Sequence, residues 1–237
     1  MKKILPIVLF SLSPLVFAAD ANDDSPWSGE GDLAFSKSSG NSSNETLLAK
    51  LMLTYTQNSW THVGNIEAIN ASEDDARSAE AYTLRGKTSY EFGERYYAFG
   101  NGRYEDNRFS GYEYQASLTS GVGMHVIATE RTIWDLESGV GYRRSEEQDT
   151  GETYNEAIFR AASTYQHQLT ETTRLENTLG VESGADNTFA EGVISLRVSI
   201  NSRLGLRVAY SVKHNTDVPE DSKNTDTLTS VGLTYSF

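Results

Sequence analysis

The sequence contains no cysteine, and beyond its first 20 residues it has no long run of apolar residues. The lack of cysteine excludes a disulfide framework, thiol catalysis and thiolate metal sites. The lack of a long apolar run excludes a spanning helix from that part of the chain, because a span needs about 20 consecutive apolar residues. Any membrane residence of that part must therefore depend on strands.

Positive charge is also scarce. The chain has 20 lysine and arginine residues against 33 aspartate and glutamate residues, a formal net charge of −13 at pH 7. This acidity argues against a nucleic-acid partner, whose phosphates would be repelled, and leaves cations, polysaccharide or a divalent-rich outer leaflet as neighbours. The mean hydropathy of −0.49 is low for a helical membrane protein, but a strand barrel needs an apolar residue only at every second position.

The amino-terminal segment has the pattern of a secretory signal peptide. Two lysines precede an apolar run over residues 4–17, and Ala18 supplies a small residue at the cleavage site. We expect removal of residues 1–18; because the two lysines are lost with them, 18 basic and 33 acidic residues remain, a net charge of −15. Residues 19–26 would form a periplasmic amino-terminal segment. A membrane anchor is the alternative, but the run is short and contains two prolines.

The segment 230–237 alternates apolar and polar residues and is aromatic at its end. A period of two predicts a strand with one apolar and one polar face. The segment also resembles the terminal signal by which bacterial outer-membrane proteins are recognised for assembly, through Gly232, Tyr235 and Phe237. The resemblance implies the barrel-assembly machinery as a partner. An edge strand of a soluble sandwich is the alternative.

About twelve alternating segments of this kind cover residues 27–237, which predicts an all-β protein. Five short connections alternate with six longer ones, an arrangement typical of outer-membrane proteins. The short ones are 57–59, 93–95, 127–131, 169–172 and 201–203, and the longer ones lie around 37–45, 71–80, 105–113, 145–155, 183–189 and 214–225. We therefore predict a transmembrane antiparallel up-and-down β-barrel of about 12 strands in the outer membrane of a Gram-negative bacterium. Aromatic residues beside the short turns predict a periplasmic girdle: Trp60, Phe92, Tyr96 and Trp134.

The stretch 104–114 (YEDNRFSGYEY) resembles the central motif of the salt-induced outer-membrane protein family, whose domain of unknown function is numbered 481. Trp27-Ser28-Gly29 and Ser39-Gly40-Asn41 resemble the start of that family. The resemblance implies an outer-membrane barrel, induced by salt in some members and without an established activity. It supplies no catalytic residues.

Charged residues at inward positions are the strongest functional signal. Bases cluster on the eighth to eleventh segments (Arg160, Arg174, Arg197, Arg207 and Lys213), and acids cluster on the first, third and seventh (Glu30, Asp32, Glu67, Asp135 and Glu137). Arg85, Lys87 and Arg103 are exceptions among the bases, and Glu176 is an exception among the acids. If the two sets line opposite walls, they would flank a narrow aqueous path; if they meet, they would neutralise each other and close it. We predict a narrow, porin-like passive channel associated with salt or osmotic stress, which passes small ions or solutes and contacts outer-membrane lipid and lipopolysaccharide. A non-conducting barrel with a salt-bridged lumen is the alternative.

An outer-membrane hydrolase is a second alternative. His214, with Asp217 nearby and Ser211 on the same strand, is the candidate for a base and nucleophile on the outer side. No paired histidines occur at ligand spacing, and the acidic stretches 73–75, 146–149 and 220–221 could share a loosely held Ca²⁺. We predict no enzyme, no cofactor and no committed metal site.

Overall fold

A computed structural model describes residues 25–38, 44–73, 76–107, 112–148, 150–218 and 223–237. These residues form twelve β-strands, in order: β1 (Trp27–Ser38), β2 (Asn44–Gln57), β3 (Trp60–Glu73), β4 (Ala76–Glu91), β5 (Tyr96–Asn107), β6 (Tyr112–Ala128), β7 (Thr132–Glu147), β8 (Thr153–Gln168), β9 (Thr173–Ser183), β10 (Thr188–Ser199), β11 (Leu204–Asn215) and β12 (Thr225–Ser236). The expected signal peptide and most of the segment 19–26 lie outside the described residues. So does Arg108, inside the stretch that resembles the family motif.

The strands form one closed barrel in which every strand pairs antiparallel with its neighbours in sequence, and β1 pairs with β12. The prediction of a twelve-stranded up-and-down barrel is confirmed. Closure removes the exposed sheet edges that a sandwich would have to protect. None of the described residues forms a helix that is long and apolar enough to cross a membrane.

The predicted long connections are wrong in extent, because the strands continue into them. β3 runs to Glu73 and β4 begins at Ala76, so most of the expected loop at 71–80 is paired strand, with a register shift between Ala71 and Ser72. Backbone pairing does not need apolar side chains, so a ladder can continue where the sequence becomes polar. We call the end of the barrel with the connection between β3 and β4 the loop end. The opposite end, with the connections after β2, β4, β6, β8 and β10, is the turn end.

The outward face of the barrel carries its large apolar side chains, and they are exposed. Leu118 and Val140, near the middle of their strands, are 70% and 65% exposed. A water-soluble monomer rarely exposes a continuous apolar surface of this extent. The outward face is therefore suited to a hydrocarbon environment.

Aromatic residues border this apolar belt at both ends. On four strands the two bordering aromatics are eight residues apart: Trp27 and Phe35, Tyr82 and Tyr90, Tyr96 and Tyr104, and Trp134 and Tyr142. At the turn end the rings pack in pairs, such as Trp60 and Tyr90 with centroids 4.8 Å apart. Eight residues of a strand tilted by about 40° cover about 20 Å, close to the height of a barrel's apolar band.

The ladder between β1 and β12 is shorter than the others. It has six residue pairs, from Glu30↔Ser236 to Phe35↔Val231, whereas the remaining ladders have 10 to 15. Within this seam Gly232 lies so close to β1 that a Cβ atom there would be 2.4 Å from the carbonyl oxygen of Leu33. A larger residue would push the two strands apart.

Candidate functional site in the lumen

Inward side chains meet in charged clusters, and the first surrounds Glu137 on β7. Arg160 donates to Glu137 Oε2 at 2.7 Å, Tyr97 donates to Oε1 at 3.0 Å, and Lys87 forms an ion pair with the same carboxylate. The Arg160 guanidinium also lies 5.3 Å from the ring centroid of Phe99, a cation–π distance. Glu137 is 7% exposed, and burying such a charge requires partners of this kind.

A second cluster lies around Arg207 on β11, towards the turn end. Arg207 binds Asp32 at 2.7 Å and Glu30 at 3.1 Å, and it also pairs with Glu176. Arg197 pairs with the same Glu30. β1 therefore supplies acids to bases on β10 and β11, so the predicted acidic and basic walls meet in this part of the lumen.

A third cluster crosses the lumen, and we call it the cross-lumen bridge: Arg85, Glu105, Glu191 and Lys213. Arg85 on β4 donates to both carboxylate oxygens of Glu191 on β10, at 2.9 and 2.8 Å. Lys213 on β11 pairs with Glu105 on β5 at 3.0 Å. In both pairs the strands are six places apart around the twelve-stranded ring. The bridge divides the lumen into a side along β6–β9 and a side along β12 and β1–β3.

The side along β6–β9 is filled by side chains, and we call it the packed side. Tyr97, Phe99, Thr119, Arg143 and Ile158 are each at most 4% exposed. Glycines on β6 and β7 make room for the rings. A Cβ atom at Gly123 would lie 2.1 Å from the Tyr97 ring, and one at Gly139 would lie 3.1 Å from the Phe99 ring.

Arg143 closes the packed side near the loop end. Its guanidinium donates from Nε to Glu156 Oε1 at 2.9 Å and also bonds the backbone carbonyl of Asn187. The Glu156 carboxylate accepts the amide of Asp186 at 3.0 Å. The side chain of Arg143 is 1% exposed, so this buried pair fixes the connection between β9 and β10 over the lumen.

The side along β12 and β1–β3 contains a cavity of about 370 Å³, and we call it the cavity side. Small and aliphatic side chains line its wall: Ala34, Leu48, Ile69, Ala81, Val193 and Ala209. Asp32, Lys50, Glu67 and Arg207 lie towards its turn end, and Glu191, Lys213 and Asp226 lie towards its loop end. The cavity therefore has an apolar middle between two charged ends.

The remaining predicted lumen charges lie apart from the bridge. Asp135 accepts from His125 Nδ1 at 2.7 Å, near the turn end, and Nε2 of the same ring is 3.2 Å from Glu91. Arg174 is exposed at the turn end, where it donates to Gln168 at 3.1 Å. Glu67 lines the cavity and is the Cα partner of Lys50.

Sequence reasoning missed the inward rings of Tyr97 and Phe99. Their positions alternate with the outward Tyr96, Ala98 and Gly100, so the period of two predicts that both side chains point inward. Their packing was not predictable, because it depends on glycines of β6 and β7. Glycines at inward positions of neighbouring strands are the signal that could have indicated the site of the rings.

The proposed catalytic pair is wrong, because alternation separates its members. Ser211 lines the cavity and donates to the Leu228 carbonyl at 3.4 Å. His214 is three residues further along β11 and therefore on the opposite face, where its Nδ1 is 2.8 Å from Thr225 Oγ1. A nucleophile and its base must lie within hydrogen-bond reach, and these two do not.

The acidic stretches considered for calcium fall partly outside the described residues, since Asp74, Asp75, Asp149 and the stretch 220–221 are among the positions that the structure does not describe. Within the described ranges, no three histidine, aspartate or glutamate side chains gather where they could hold a metal ion.

The three residues of the predicted assembly signal lie in the seam. Phe237 exchanges two backbone hydrogen bonds with Gly29, of 2.8 and 3.0 Å. A Cβ atom at Gly29 would lie 2.3 Å from the Phe237 ring, so the ring rests on that glycine. Tyr235 faces outward and stacks with Phe237 at a centroid distance of 6.2 Å, and Gly232 allows the close approach of β1 described above. Recognition by an assembly machinery stays a prediction.

The chain is similar over most of its length to proteins without an assigned activity. A family model described as "Protein of unknown function, DUF481" matches residues 31–237. The uncharacterized protein YdiY of Escherichia coli (strain K12) is 29% identical over 220 residues, which cover 92% of this chain and 86% of that protein. The solved structure of the NanC porin matches with a TM-score of 0.52 at 9% identity, covering 87% of this chain and 97% of the porin chain. The likeness to the porin is one of fold.

Proposed function

We propose that this chain, which belongs to the DUF481 family of proteins of unknown function, is an outer-membrane β-barrel whose lumen is closed by ion pairs. The exposed apolar belt and its two aromatic borders support the membrane location. In that location the belt contacts lipid and lipopolysaccharide, and the strand β12 is the segment offered to the barrel-assembly machinery.

The cross-lumen bridge is the observation that carries the proposal of a closed lumen. Arg85 holds Glu191 through two hydrogen bonds of 2.9 and 2.8 Å from the opposite side of the ring. Both bonds come from the same nitrogen, Nη2, and charge-assisted bonds of this kind are about twice as strong as neutral ones. An ion that crosses at the bridge must displace the pair, and separating these partly buried charges leaves both of them uncompensated.

Location is tested by fractionation and by gel migration with and without heating. We expect the mature chain in the outer-membrane fraction, with faster migration of the unheated barrel. Recovery of the folded mature chain as a soluble periplasmic protein would contradict the proposal at this first step.

Closure is tested by recording current across planar bilayers that contain the refolded barrel. We expect no current steps from the natural protein and clear steps from a double variant, Glu191→Gln with Lys213→Met, in which both diametric pairs are removed. Arg174→Gln, at an exposed base outside the bridge, is the control and should behave as the natural protein does. Equal conductance in the natural protein and the double variant would show that the bridge does not close the path.

A narrow passive channel is the second candidate, because the cavity occupies the part of the lumen that the packed side does not. The exposed fractions of the Arg85 and Glu191 side chains are 24% and 22%, so dissolved salt can screen this pair partly. If salt opens the channel by screening this pair, the natural protein should carry current only when the ionic strength is raised. Current of the same size at low salt would favour a permanently open channel.

A further inference from the structure

The cavity lies against the part of the barrel where the wall is least complete. The β1–β12 ladder ends at Phe35↔Val231. Beyond that pair, within the described residues, 36–38 pair only with β2 and 225–230 pair only with β11. The cavity lining includes Leu228 and Ser230 from the β12 side of this gap, and Ala34 from the last paired part of β1. The seam is therefore open towards the loop end beside the cavity.

The level of the opening suits a membrane interface. Phe35 belongs to the aromatic border at the loop end. The opening between β1 and β12 begins directly after Phe35, on the side of the loop end. Unpaired backbone groups are costly in hydrocarbon but not at the depth of lipid headgroups, where water reaches them. In the proposed membrane location, the opening faces the outer leaflet at the level of its headgroups.

One base in the cavity lacks an ion-pair partner among the described residues. Arg207 pairs with Asp32, and Lys213 pairs with Glu105, but Lys50 makes no ion pair within that part of the chain. Asp32 and Glu67 are the Cα partners of Lys50 on β1 and β3, but Asp32 pairs with Arg207 and Glu67 forms no ion pair within the described residues. The ammonium group of Lys50 is therefore available to an anion.

We propose that the cavity binds a single-chain carboxylate amphiphile of the fatty-acid class. Its carboxylate binds Lys50, its hydrocarbon chain lies along Leu48, Ile69 and Ala209, and it enters from the outer leaflet through the opening between β1 and β12. A volume of about 370 Å³ is in the range of small-molecule sites. The binding itself follows from the cavity, whereas the route rests on the proposed membrane location.

Binding is tested with palmitic acid carrying a doxyl spin label, added to the refolded barrel in lipid vesicles. Electron paramagnetic resonance should show an immobilised population with the natural protein. Lys50→Met should weaken binding by about tenfold, since it removes a charge-assisted hydrogen bond. The methyl ester of the same labelled acid should bind about tenfold more weakly to the natural protein and should not distinguish it from Lys50→Met.

A variant that fills the cavity tests the binding of the acid independently of Lys50. Ala209→Phe places a ring in the cavity and should abolish the immobilised population. Ala98→Phe adds the same ring to the outward face of β5 and should leave binding unchanged. Equal binding by the natural protein, Lys50→Met and Ala209→Phe would overturn the proposal. Equal binding of the acid and its methyl ester to the natural protein would also overturn it, and this comparison does not depend on the folding of a variant.

The route is tested by joining the two edges of the opening. Ser36 and Ser230 would form the next pair of the β1–β12 register, and the chain has no cysteine of its own. With Ser36→Cys and Ser230→Cys, a disulfide or a short thiol cross-link should slow uptake of the labelled acid at least tenfold, and reduction of the disulfide should restore it. Each single-cysteine variant should take up the acid as the natural protein does. Equal uptake before and after cross-linking would overturn the lateral route.

The two proposals fail in different ways. A barrel that is recovered in the outer membrane but immobilises no labelled acid would overturn the amphiphile site alone. A soluble mature chain would overturn the membrane location, and with it the lateral route.

Discussion

The packed side and the cavity side of the lumen both have small residues at inward positions, but they use them differently. On the packed side, Gly123 and Gly139 lie under the rings of Tyr97 and Phe99, which fill the space that the glycines leave. On the cavity side, Ala34, Ala81 and Ala209 line a space that no aromatic ring of the described residues lines. Small inward residues therefore produce a tight interior only where a neighbouring strand supplies a large side chain.

The two sides also differ in how their wall is closed. Along the packed side the ladders β6–β7 and β7–β8 have 15 residue pairs each, whereas the seam on the cavity side has six. Protein interiors are close-packed and resist a change of volume. We therefore expect substitutions on the packed side to reduce stability most, and changes at the seam to act mainly on assembly.

The largest effect is expected from Arg143→Ala on the packed side. It would leave Glu156 buried without its base and the Asn187 carbonyl without its donor, at a cost of about 4 kcal/mol in the free energy of unfolding. Denaturant unfolding of the refolded barrel in vesicles would measure it. Arg174→Ala, at an exposed base, is the matched control with a change near zero. Similar small changes in both variants would show that the packed side is not held by this buried pair.

A smaller effect is expected from adding one methyl group at two glycines of the packed side that differ in the space around them. A Cβ atom at Gly121 would lie 2.1 Å from the Ser138 carbonyl oxygen, whereas one at Gly180 on β9 would meet no atom within 4 Å. Gly121→Ala should therefore cost about 2 to 3 kcal/mol in the same unfolding measurement, because the strand backbones must separate. Gly180→Ala should be close to neutral. Equal costs for the two substitutions would show that close backbone approach does not hold this side together.

The smallest effect on stability is expected at the seam, from deletion of Phe237. The deletion removes two backbone hydrogen bonds to Gly29, at a net cost of about 1 kcal/mol. The yield of folded barrel in the outer membrane should fall, while export of the chain stays intact, as measured by heat-dependent gel migration and fractionation. Arg174→Ala, at an exposed base of β9 at the turn end, is the control for yield. An unchanged folded yield would show that the aromatic end of β12 is dispensable for assembly.

Alternation alone predicted the strands, their number and their inward faces. It placed Glu137 and Arg207 inside the barrel and Val140 and Leu206 outside, because the side-chain period of two is a local property of the backbone. The same rule separates Ser211 from His214, because their positions differ by three, an odd number. The extents of the loops were not predictable in this way. β3 continues as a polar strand as far as Glu73, and β4 already begins at Ala76.

The partners inside the lumen could not be predicted. Arg85 and Glu191 are 106 positions apart in sequence and meet only because β4 and β10 lie opposite each other in the closed ring. That meeting depends on the tilt and stagger of all twelve strands, which no single segment encodes. Lys50 and Glu67 illustrate the opposite case: they are partners in register on adjacent strands, yet they make no ion pair with each other.

The order of the strands has a consequence for how fast the barrel can form. Eleven ladders join strands that follow each other in sequence, and only the β1–β12 ladder joins residues about 200 positions apart. Loop-closure entropy makes that one contact costlier than a hairpin by about 3 kcal/mol, and its six pairs compensate for little of this until the sheet has curved. We therefore infer that hairpins form early and that ring closure at β1–β12 is the slow, final step of folding.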